Sequence, residues 1–210
     1  MIDYQKNIIV LLDANAFVHS SFHAYEEKLD IKGNDQRIIH GLMDTLVSLT
    51  FQFERIDEIF MIFDPDDSSL YRRSKYSAYK KNRPLVDPSL YQQRKNAEIL
   101  FKEKLGIPIV TYPGYEADDI IGSVAQLFKN EHQVIIVSPD KDIAQLVDKN
   151  IFLLRKWRNK TEKGFILLDE NGVKENFGVF PKQIPDLLAL MGDDADNLPG
   201  VDKIGKKTAF

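Results

Sequence analysis

The sequence has no cysteine and no long apolar run. Without cysteine it can form neither disulfides nor thiolate metal sites, so any metal must be held by oxygen or histidine, and a reducing cytoplasmic location is expected. The longest apolar runs, such as residues 8–12, are far too short to span a bilayer. Residues 1–7 lack the basic-then-apolar pattern of an export signal, which predicts a protein that is not exported.

Charge is distributed unevenly along the 210 residues, although the net charge is only −4. Arg72–Arg83, RRSKYSAYKKNR, has six basic residues and no acid, and a second basic cluster covers Arg155–Lys163. Acids concentrate at Glu116–Asp119 and Asp193–Asp196. A basic run is often only a solvated face, but segregation of this kind is also typical of proteins that bind nucleic acid.

Three short runs of branched apolar residues end in acids, at Asp13, Asp64 and Asp140. Such runs are typical of strands buried on both faces of a parallel sheet. Segments with helical spacing lie between them, over residues 38–53, 97–105 and 117–128, and shorter helices are predicted at 173–177 and 184–191. The sequence therefore predicts an α/β fold with a mostly parallel central sheet flanked by helices.

The acids at the strand ends should converge, because ligands of open α/β sheets bind beyond the carboxyl ends of the strands. A trio at the start of the helix at 117–128 should join them; capping can explain one or two of its acids but not all three. Asp142 lies two residues beyond Asp140. The acids expected to share this crevice are Asp13, Asp64, Glu116, Asp118, Asp119, Asp140 and Asp142.

So many carboxylates in one crevice would repel strongly unless cations lay between them. All-oxygen ligation favours Mg²⁺, with Mn²⁺ as a substitute, and no calcium-binding loop pattern is present. Two such ions about 4 Å apart can activate water and stabilise both oxygens of a phosphoryl displacement. This is nuclease chemistry.

The basic run after Asp64 supplies groups that suit a DNA substrate. Lys80 and Arg83 can hold the scissile phosphate, and Tyr76 and Tyr79 offer faces on which terminal bases can stack. Packing of the insertion itself explains the two tyrosines equally well.

The most specific segment is GDDADNLPGVDKIGKKT at residues 192–208. Asp193 and Asp196 extend the acidic set. Gly200–Gly205 predicts a glycine-bounded turn that enters a helix, whose N-terminus and lysines can bind a phosphate backbone.

The motifs LLDANAFVHSSFHA, FDPDDSSLYRRSKYSAYKKNR, PGYEADDIIG, SPDKDIAQLV and MGDDADNLPGVDKIGKKTA together resemble the 5′-nuclease family over essentially the whole chain. That family includes the 5′-3′ exonuclease domain of bacterial DNA polymerase I, phage 5′ exonucleases and flap endonucleases. The resemblance implies a PIN-like 5′-nuclease fold and a magnesium-dependent enzyme that cuts DNA near 5′ ends or flaps.

The resemblance also implies roles for residues. The metal ligands would be Asp13, Asp64, Glu116, Asp118, Asp119, Asp140, Asp142, Asp193 and Asp196, and the catalytic cations Lys80 and Arg83 in a helical arch. The DNA-binding residues would be Arg72, Arg73, Tyr76, Tyr79, Gly200, Val201, Lys203, Ile204, Gly205, Lys206 and Lys207. The Gly200–Gly205 hairpin would belong to a helix-three-turn-helix motif, which often holds K⁺ in the family.

Two departures from the family pattern affect these expectations. Ser20 occupies a position that is usually arginine, so Arg72 or Arg73 would have to replace a phosphate contact. The sequence also stops at Phe210, just inside the second helix of the expected motif. We expect a nuclease core at residues 1–168, with its arch insertion at about 65–88, and an incomplete helical DNA-binding section at 169–210. As given, the chain resembles a stand-alone nuclease without an evident obligate protein partner.

Two other functions remain open at the level of sequence. Ser20 and the shortened end would suit a DNA junction-binding module that does not cut. A PIN-like ribonuclease would also cluster acids at strand ends, although the segment at residues 192–205 argues against it.

Overall fold

The computed structural model describes residues 2–24, 30, 33–66, 71–83, 87–158, 163–205 and 208–209. The strands are β1 (Ile8–Asp13), β2 (Glu58–Ile62), β3 (Ile109–Val110), β4 (Gln133–Val137), β5 (Ile151–Arg158), β6 (Lys163–Leu168), β7 (Gly192–Asp193) and β8 (Leu198–Pro199). The α-helices are α1 (Ala14–Ala24), α2 (Arg37–Gln52), α3 (Tyr71–Lys75), α4 (Pro88–Ile99), α5 (Ala117–Phe128), α6 (Glu170–Phe177) and α7 (Ile184–Met191). A π-helical turn, Leu100–Lys104, extends α4, and short 3₁₀ turns lie at Asp142–Leu146 and Pro181–Gln183.

Six strands form the central sheet in the order β3-β2-β1-β4-β5-β6. All neighbouring pairs are parallel except β5 and β6, which form an antiparallel pair at one edge. The α/β class with a mostly parallel sheet is therefore confirmed. β1 lies between β2 and β4, so the acid that ends β1 has a neighbouring strand end on either side.

The sheet has a hydrophobic core on each face. Along β1 every residue is buried, and side chains alternate: Ile8, Val10 and Leu12 join the cluster that includes α1, α2 and α4, while Ile9 and Leu11 join the cluster that includes α5 and α6. Alternation follows from the two-residue period of a strand. Burial of both faces explains why the sequence of β1 is a continuous apolar run.

One strand is less buried than its apolar sequence predicted. The amino half of β2 is only partly covered, with Glu58 exposed and Ile59 and Phe60 half-buried. The reason is its neighbour β3, which has two residues and pairs only with Met61 and Ile62. Only the carboxyl half of β2, which leads to Asp64, is enclosed by the sheet.

The C-terminal part contains the two predicted helices, here α6 and α7, and then the short antiparallel pair β7–β8. Among the described residues after Pro199 no helix is formed; residues 202–203 are a turn, and the N–H groups of Thr208 and Ala209 both donate to the carbonyl of Gly205. Lys206 and Lys207 lie outside the described residues. The helix expected after Gly205 lies mostly outside the described residues, so it and the domain division both stay predictions.

No helix in the described ranges combines the length and apolar character needed to cross a membrane.

Candidate active site at the carboxyl edge of the sheet

Hydrogen bonds join the acids at the ends of β1 and β4. Asp13, the last residue of β1, is buried, and its Oδ2 accepts a hydrogen bond from the Ser138 hydroxyl at 2.6 Å. The same Ser138 Oγ accepts from the N–H of Asp140 at 3.0 Å, and Asp140 Oδ1 accepts from the N–H of Asp142 at 2.9 Å. Three of the predicted acids therefore lie in one hydrogen-bonded series around Ser138.

Asp64 connects this edge to the start of α5. Its Oδ1 accepts from the N–H of Ala117 at 2.7 Å, and its Oδ2 accepts from the side-chain amide of Asn15 at 2.7 Å. Arg94 of α4 donates to the Asp64 carbonyl. Asp118 follows Ala117 directly, so the contact with Asp64 brings the helix start beside the strand ends, where a negative charge is favoured by the helix dipole.

Burial and neighbouring negative charge both raise the pKa values of three of these carboxylates. Burial, followed by the charges of Asp13 and Asp140, raises the pKa of Asp118 to about 8. Burial raises the pKa of Asp13 to about 6 against the lowering effect of Ser138, and Asp64 and Asp140 contribute to the rise. Burial and the charge of Asp140 raise the pKa of Asp142 to about 6. Without a compensating cation, the group holds protons that isolated carboxyls would have lost.

Glu116 and Asp119 are paired with basic residues of the insertion. Arg72 of α3 holds Asp119 through both terminal nitrogens at 2.8 Å and also donates to Glu116 Oε2 at 2.5 Å. Lys80 donates to Glu116 Oε1. Although burial raises the pKa of Glu116, the hydrogen bonds from Lys80 and Tyr79 outweigh it and lower that pKa below its usual value.

The basic turn, residues 77–83, docks on the acidic turn, residues 193–197. Arg83 donates to Asp196 Oδ1 at 2.7 Å, Asn82 donates to the Asp194 carbonyl at 2.7 Å, and Asn197 donates to the Ala78 carbonyl at 2.8 Å. The N–H of Lys80 donates to the Asp196 carbonyl at 3.0 Å. The two candidate catalytic cations are therefore positioned by a segment more than a hundred residues away.

Lys80 has a left-handed backbone, with a φ of 52°. This conformation is uncommon for a residue with a Cβ and costs free energy, so the surrounding contacts must maintain it. The hydrogen bonds to Asp196 and Glu116 supply that constraint. Such local strain is frequent at functional positions.

The predicted base-stacking tyrosines differ in the structure. The ring of Tyr79 is 4% exposed, and its hydroxyl lies 2.7 Å from Glu116 Oε2 and 2.9 Å from Asp196 Oδ2. Both contacts lie outside the insertion, so neither an open face for base stacking nor packing of the insertion itself describes its position: the nearly fully buried residue joins the insertion to the start of α5 and to the acidic turn, at the edge of the groove. Tyr76 remains partly exposed and lines the groove described below.

Two glycines bring the acidic turn to the edge of the site. Gly192 has a φ of 74°, and a Cβ on Gly200 would lie 2.4 Å from the carbonyl carbon of Met191. Only glycine permits the close approach of these two backbones. The β7–β8 pair that results places Asp193 Oδ2 3.0 Å from the ammonium of Lys141, next to Asp140 and Asp142.

The rest of the predicted DNA-binding surface is less defined. Val201, Lys203, Ile204 and Gly205 form the described turn after β8, and the N–H of Ile204 donates to the Val201 carbonyl. Lys203 has a φ of 64°. Their role in binding duplex DNA or K⁺ stays a prediction, as does the role of exposed Arg73 on α3.

The donor chemistry at this edge fits a hard divalent cation. The candidates are carboxylates that repel one another, and Asp142 Oδ1 is buried without a hydrogen-bond partner. In this conformation, no three acidic or histidine side chains of the described residues are grouped closely enough to hold an ion. Glu116, Asp119 and Asp196 are turned toward Arg72, Lys80 and Arg83 instead. Binding an ion would therefore require side-chain rearrangement, and the nine-ligand assignment stays a prediction.

A groove of about 790 Å³ runs beside these acids. Its walls come from α3, α5, the 3₁₀ turn that starts at Asp142, and the acidic turn. The lining residues include Tyr71, Arg72, Tyr76, Asp118, Asp119, Asp142 and Asp196. A groove that combines acids with aromatic and basic groups can accept a polyanionic strand once cations neutralise the acids.

Sequence reasoning gave no role to several residues that position the site. Ser138, Asn15 and Lys141 hold Asp13, Asp64 and Asp193 respectively. Each of the three lies within two residues of a predicted acid in the sequence, and that proximity could have indicated its role. Arg94 carried no such signal, because its contact with Asp64 spans thirty residues.

Comparison with solved structures indicates the class of fold to which the chain belongs. The structure is similar to the bacteriophage T5 D15 flap endonuclease in a complex with DNA and metal ions, with a TM-score of 0.76, 21% identity and coverage of 97% of this chain and 73% of that one. It is also similar to flap endonuclease-1 from Methanococcus jannaschii, with a TM-score of 0.61, 18% identity and coverage of 97% and 69%. At these identities the likeness shows the fold, which is the PIN-like 5′-nuclease fold that the resemblance implied.

Sequence comparison then gives the family. Residues 8–178 match the 5′-3′ exonuclease N-terminal resolvase-like domain, and residues 179–210 match the C-terminal SAM fold of 5′-3′ exonucleases. A 5′-3′ exonuclease of Buchnera aphidicola subsp. Baizongia pistaciae is 39% identical over 215 residues, which cover 100% of this chain and 67% of the relative. The chain belongs to the 5′-3′ exonuclease family, which confirms the resemblance and the enzyme class.

Proposed function

We propose that the chain is a magnesium-dependent 5′-3′ exonuclease and flap endonuclease that hydrolyses DNA phosphodiester bonds near 5′ ends. The observation that carries the proposal is the convergence of Asp13, Asp64, Asp118, Asp140 and Asp142 at one sheet edge, beside the basic turn. Bound DNA and metal ions in the similar T5 structure support the DNA substrate and the need for a metal ion, and a similar structure of T5 5′-exonuclease holds divalent ions. The choice of Mg²⁺ rests on the all-oxygen donors.

The roles divide between the acids and the cations of the site. Asp13, Asp64, Asp118, Asp140 and Asp142 are the central candidates to hold divalent ions, with Glu116, Asp119, Asp193 and Asp196 at the periphery. When bound, such ions supply Lewis-acid activation of water and stabilise charge on the phosphoryl oxygens.

Lys80 and Arg83 bind the scissile phosphate. In the structure the ammonium of Lys80 contacts Glu116 and the guanidinium of Arg83 contacts Asp196, so each cation already lies against an anion. A phosphate oxygen is an acceptor of the same kind and can replace either carboxylate. Lys80 is better fixed than Arg83, because its side chain is 11% exposed and Arg83's is 50% exposed. We assign orientation of the phosphate to Lys80 and the wider DNA contact to Arg83.

The test is cleavage of 5′-labelled DNA, as a flap and as a nicked duplex, with Mg²⁺ or with a chelator. Wild type should release product only with the ion. Asp118→Asn should reduce the rate at least about 100-fold, since loss of outer-shell groups alone costs 10- to 100-fold at metal sites. Glu131→Gln is the matched control, because Glu131 is an exposed acid beyond the far end of α5. If Asp118→Asn cuts as fast as wild type, the central assignment is wrong.

The same substrates separate the other two functions. Salt-sensitive DNA binding with no product at any Mg²⁺ concentration would identify a junction-binding module. Faster cleavage of an RNA flap than of its DNA counterpart would identify a PIN-like ribonuclease.

A further inference from the structure

Three tyrosines form an exposed aromatic group next to the groove. Tyr71 and Tyr115 are stacked with their ring centroids 5.9 Å apart at 16°, and Tyr112 meets Tyr115 edge-on at 5.8 Å. They are 51%, 42% and 61% exposed respectively. We call this group the tyrosine stack. Core packing does not account for it, because each ring keeps a large free surface.

Chain connectivity fixes the tyrosine stack beside the candidate active site. Tyr71 directly precedes Arg72, which holds Asp119, and Tyr115 directly precedes Glu116. The N–H of Tyr71 donates to the Gly114 carbonyl at 2.8 Å, which ties the two segments together. Tyr71 also lines the groove that contains Asp118 and Asp119. A strand lying in the groove would therefore meet the tyrosine stack within a few nucleotides of the acids.

We propose that the tyrosine stack is a base-binding subsite that holds an unpaired base of the DNA strand next to the scissile phosphate. This proposal rests on the proposed function and adds a binding site to it. Aromatic faces bind bases of any sequence by stacking, which suits an enzyme that reads structure rather than sequence.

The charge around the tyrosine stack favours a polyanion over an apolar protein segment. The ammonium of Lys75 lies 5.3 Å from the centroid of the Tyr71 ring. The five-residue helix α3 has three basic residues, Arg72, Arg73 and Lys75, and no acid. Sites that bind single-stranded DNA combine aromatic rings, on which the bases stack, with cations that bind the phosphates.

The experiment measures base stacking without cleavage. A 5′-flap DNA carries 2-aminopurine at successive unpaired positions and is titrated with full-length protein in a chelator, so that fluorescence reports the base environment and no strand is cut. With wild type, fluorescence should be quenched at one or two positions nearest the junction. The double variant Tyr112→Ala/Tyr115→Ala should lose that quenching and bind the flap roughly 5- to 150-fold more weakly, the equivalent of 1–3 kcal/mol per stacked base.

Three further arms keep the result interpretable. Tyr112→Phe/Tyr115→Phe keeps both rings and should retain the quenching, which separates stacking from loss of structure. Phe51→Ala removes an 86% exposed ring from the end of α2, at the opposite edge of the sheet, and should behave as wild type. A flap with abasic sites at the quenched positions should bind wild type and the double alanine variant alike.

Persistent quenching in the double alanine variant, or an unchanged affinity for the base-containing flap, would overturn the proposal. Binding of a peptide, and not of DNA, at the tyrosine stack would also overturn the proposal. Failure of the proposed function is seen separately, as absence of Mg²⁺-dependent cleavage by wild type, whereas the stacking signal needs no metal.

Discussion

At the scale of single residues, Tyr79 connects the two halves of the candidate site. Its buried hydroxyl lies within hydrogen-bond distance of Glu116, at the start of α5, and of Asp196, in the acidic turn. Burial, then the hydrogen bond to Glu116, raises the pKa of this hydroxyl, so it stays protonated and donates. The side chain thus stabilises carboxylates that the basic turn brings together.

Tyr79→Phe keeps the ring and removes this donor. We expect a loss of about 1–3 kcal/mol of folding stability, because a buried carboxylate loses a hydrogen-bond partner. The melting temperature should fall by several degrees for a chain of this size. Thermal unfolding measured by circular dichroism checks this, with Tyr91→Phe as the control, since Tyr91 is a half-exposed tyrosine of α4. Equal melting temperatures for the two variants would contradict the assigned role.

The sequence predicted which residues would be acidic ligands and cations, but not which pairs they would form. Asp13 and Asp140 could be placed at one edge because each follows a buried apolar run. The pairing of Arg72 with Asp119, 47 residues apart, depends on side-chain direction and on tertiary contact. No local period encodes those properties, and for the same reason the sequence left packing of Tyr79 and base stacking on it equally open.

At the scale of elements, the short pair β7–β8 positions the acidic turn. Its geometry depends on the near contact of Gly200 with Met191 and on the left-handed backbone of Gly192. Gly200→Ala would force a Cβ against backbone that cannot move aside as a flexible side chain would. We expect a loss of about 1–3 kcal/mol in stability, as for other overpacked positions, and a weaker response to Mg²⁺, since Asp193 and Asp196 would shift.

The measurement is thermal unfolding with and without Mg²⁺. Gly164→Ala in β6 is the matched control, because a Cβ there meets nothing within 4 Å. The outcome that contradicts the argument is a Gly200→Ala protein with the melting temperature and Mg²⁺ response of the control.

Helices whose apolar residues repeat at a regular spacing could be predicted from the sequence, whereas the two-residue strands could not. The helix expected at residues 117–128 matches α5, because its apolar residues repeat at helical spacing and acidic residues mark its first turn. The two-residue strands β3, β7 and β8 carry no period at all, since they are defined by their pairing partners. The helix expected after Gly205 rested on the segment at residues 192–208 and on the family resemblance; it lies mostly outside the described residues and stays a prediction.

At the scale of the whole molecule, folding gathers negative charge at one edge of the sheet. The core on both faces fixes the strand ends, so the acids cannot move apart to relieve repulsion. Burial, followed by the charges of neighbouring carboxylates, raises the pKa values of Asp13, Asp118 and Asp142 to about 6, 8 and 6. The hydrophobic pattern of the sequence predicted this convergence. The strength of the repulsion depends on burial, which the pattern alone does not determine.

The metal-free protein should therefore become less stable as the pH rises. A raised folded-state pKa means that the folded form binds more protons than the unfolded form between the two pKa values. The stabilisation is complete below about pH 4 and is lost as the pH rises to about 8, the folded pKa of Asp118. We expect the melting temperature in a chelator to fall over this upper range, and Mg²⁺ to restore it most at high pH, because an ion that binds only the folded state stabilises it. Asp118→Asn should flatten the dependence. A variant whose pH profile in the chelator matches that of wild type would show that the burial and repulsion of the Asp118 carboxylate do not limit the stability of the fold.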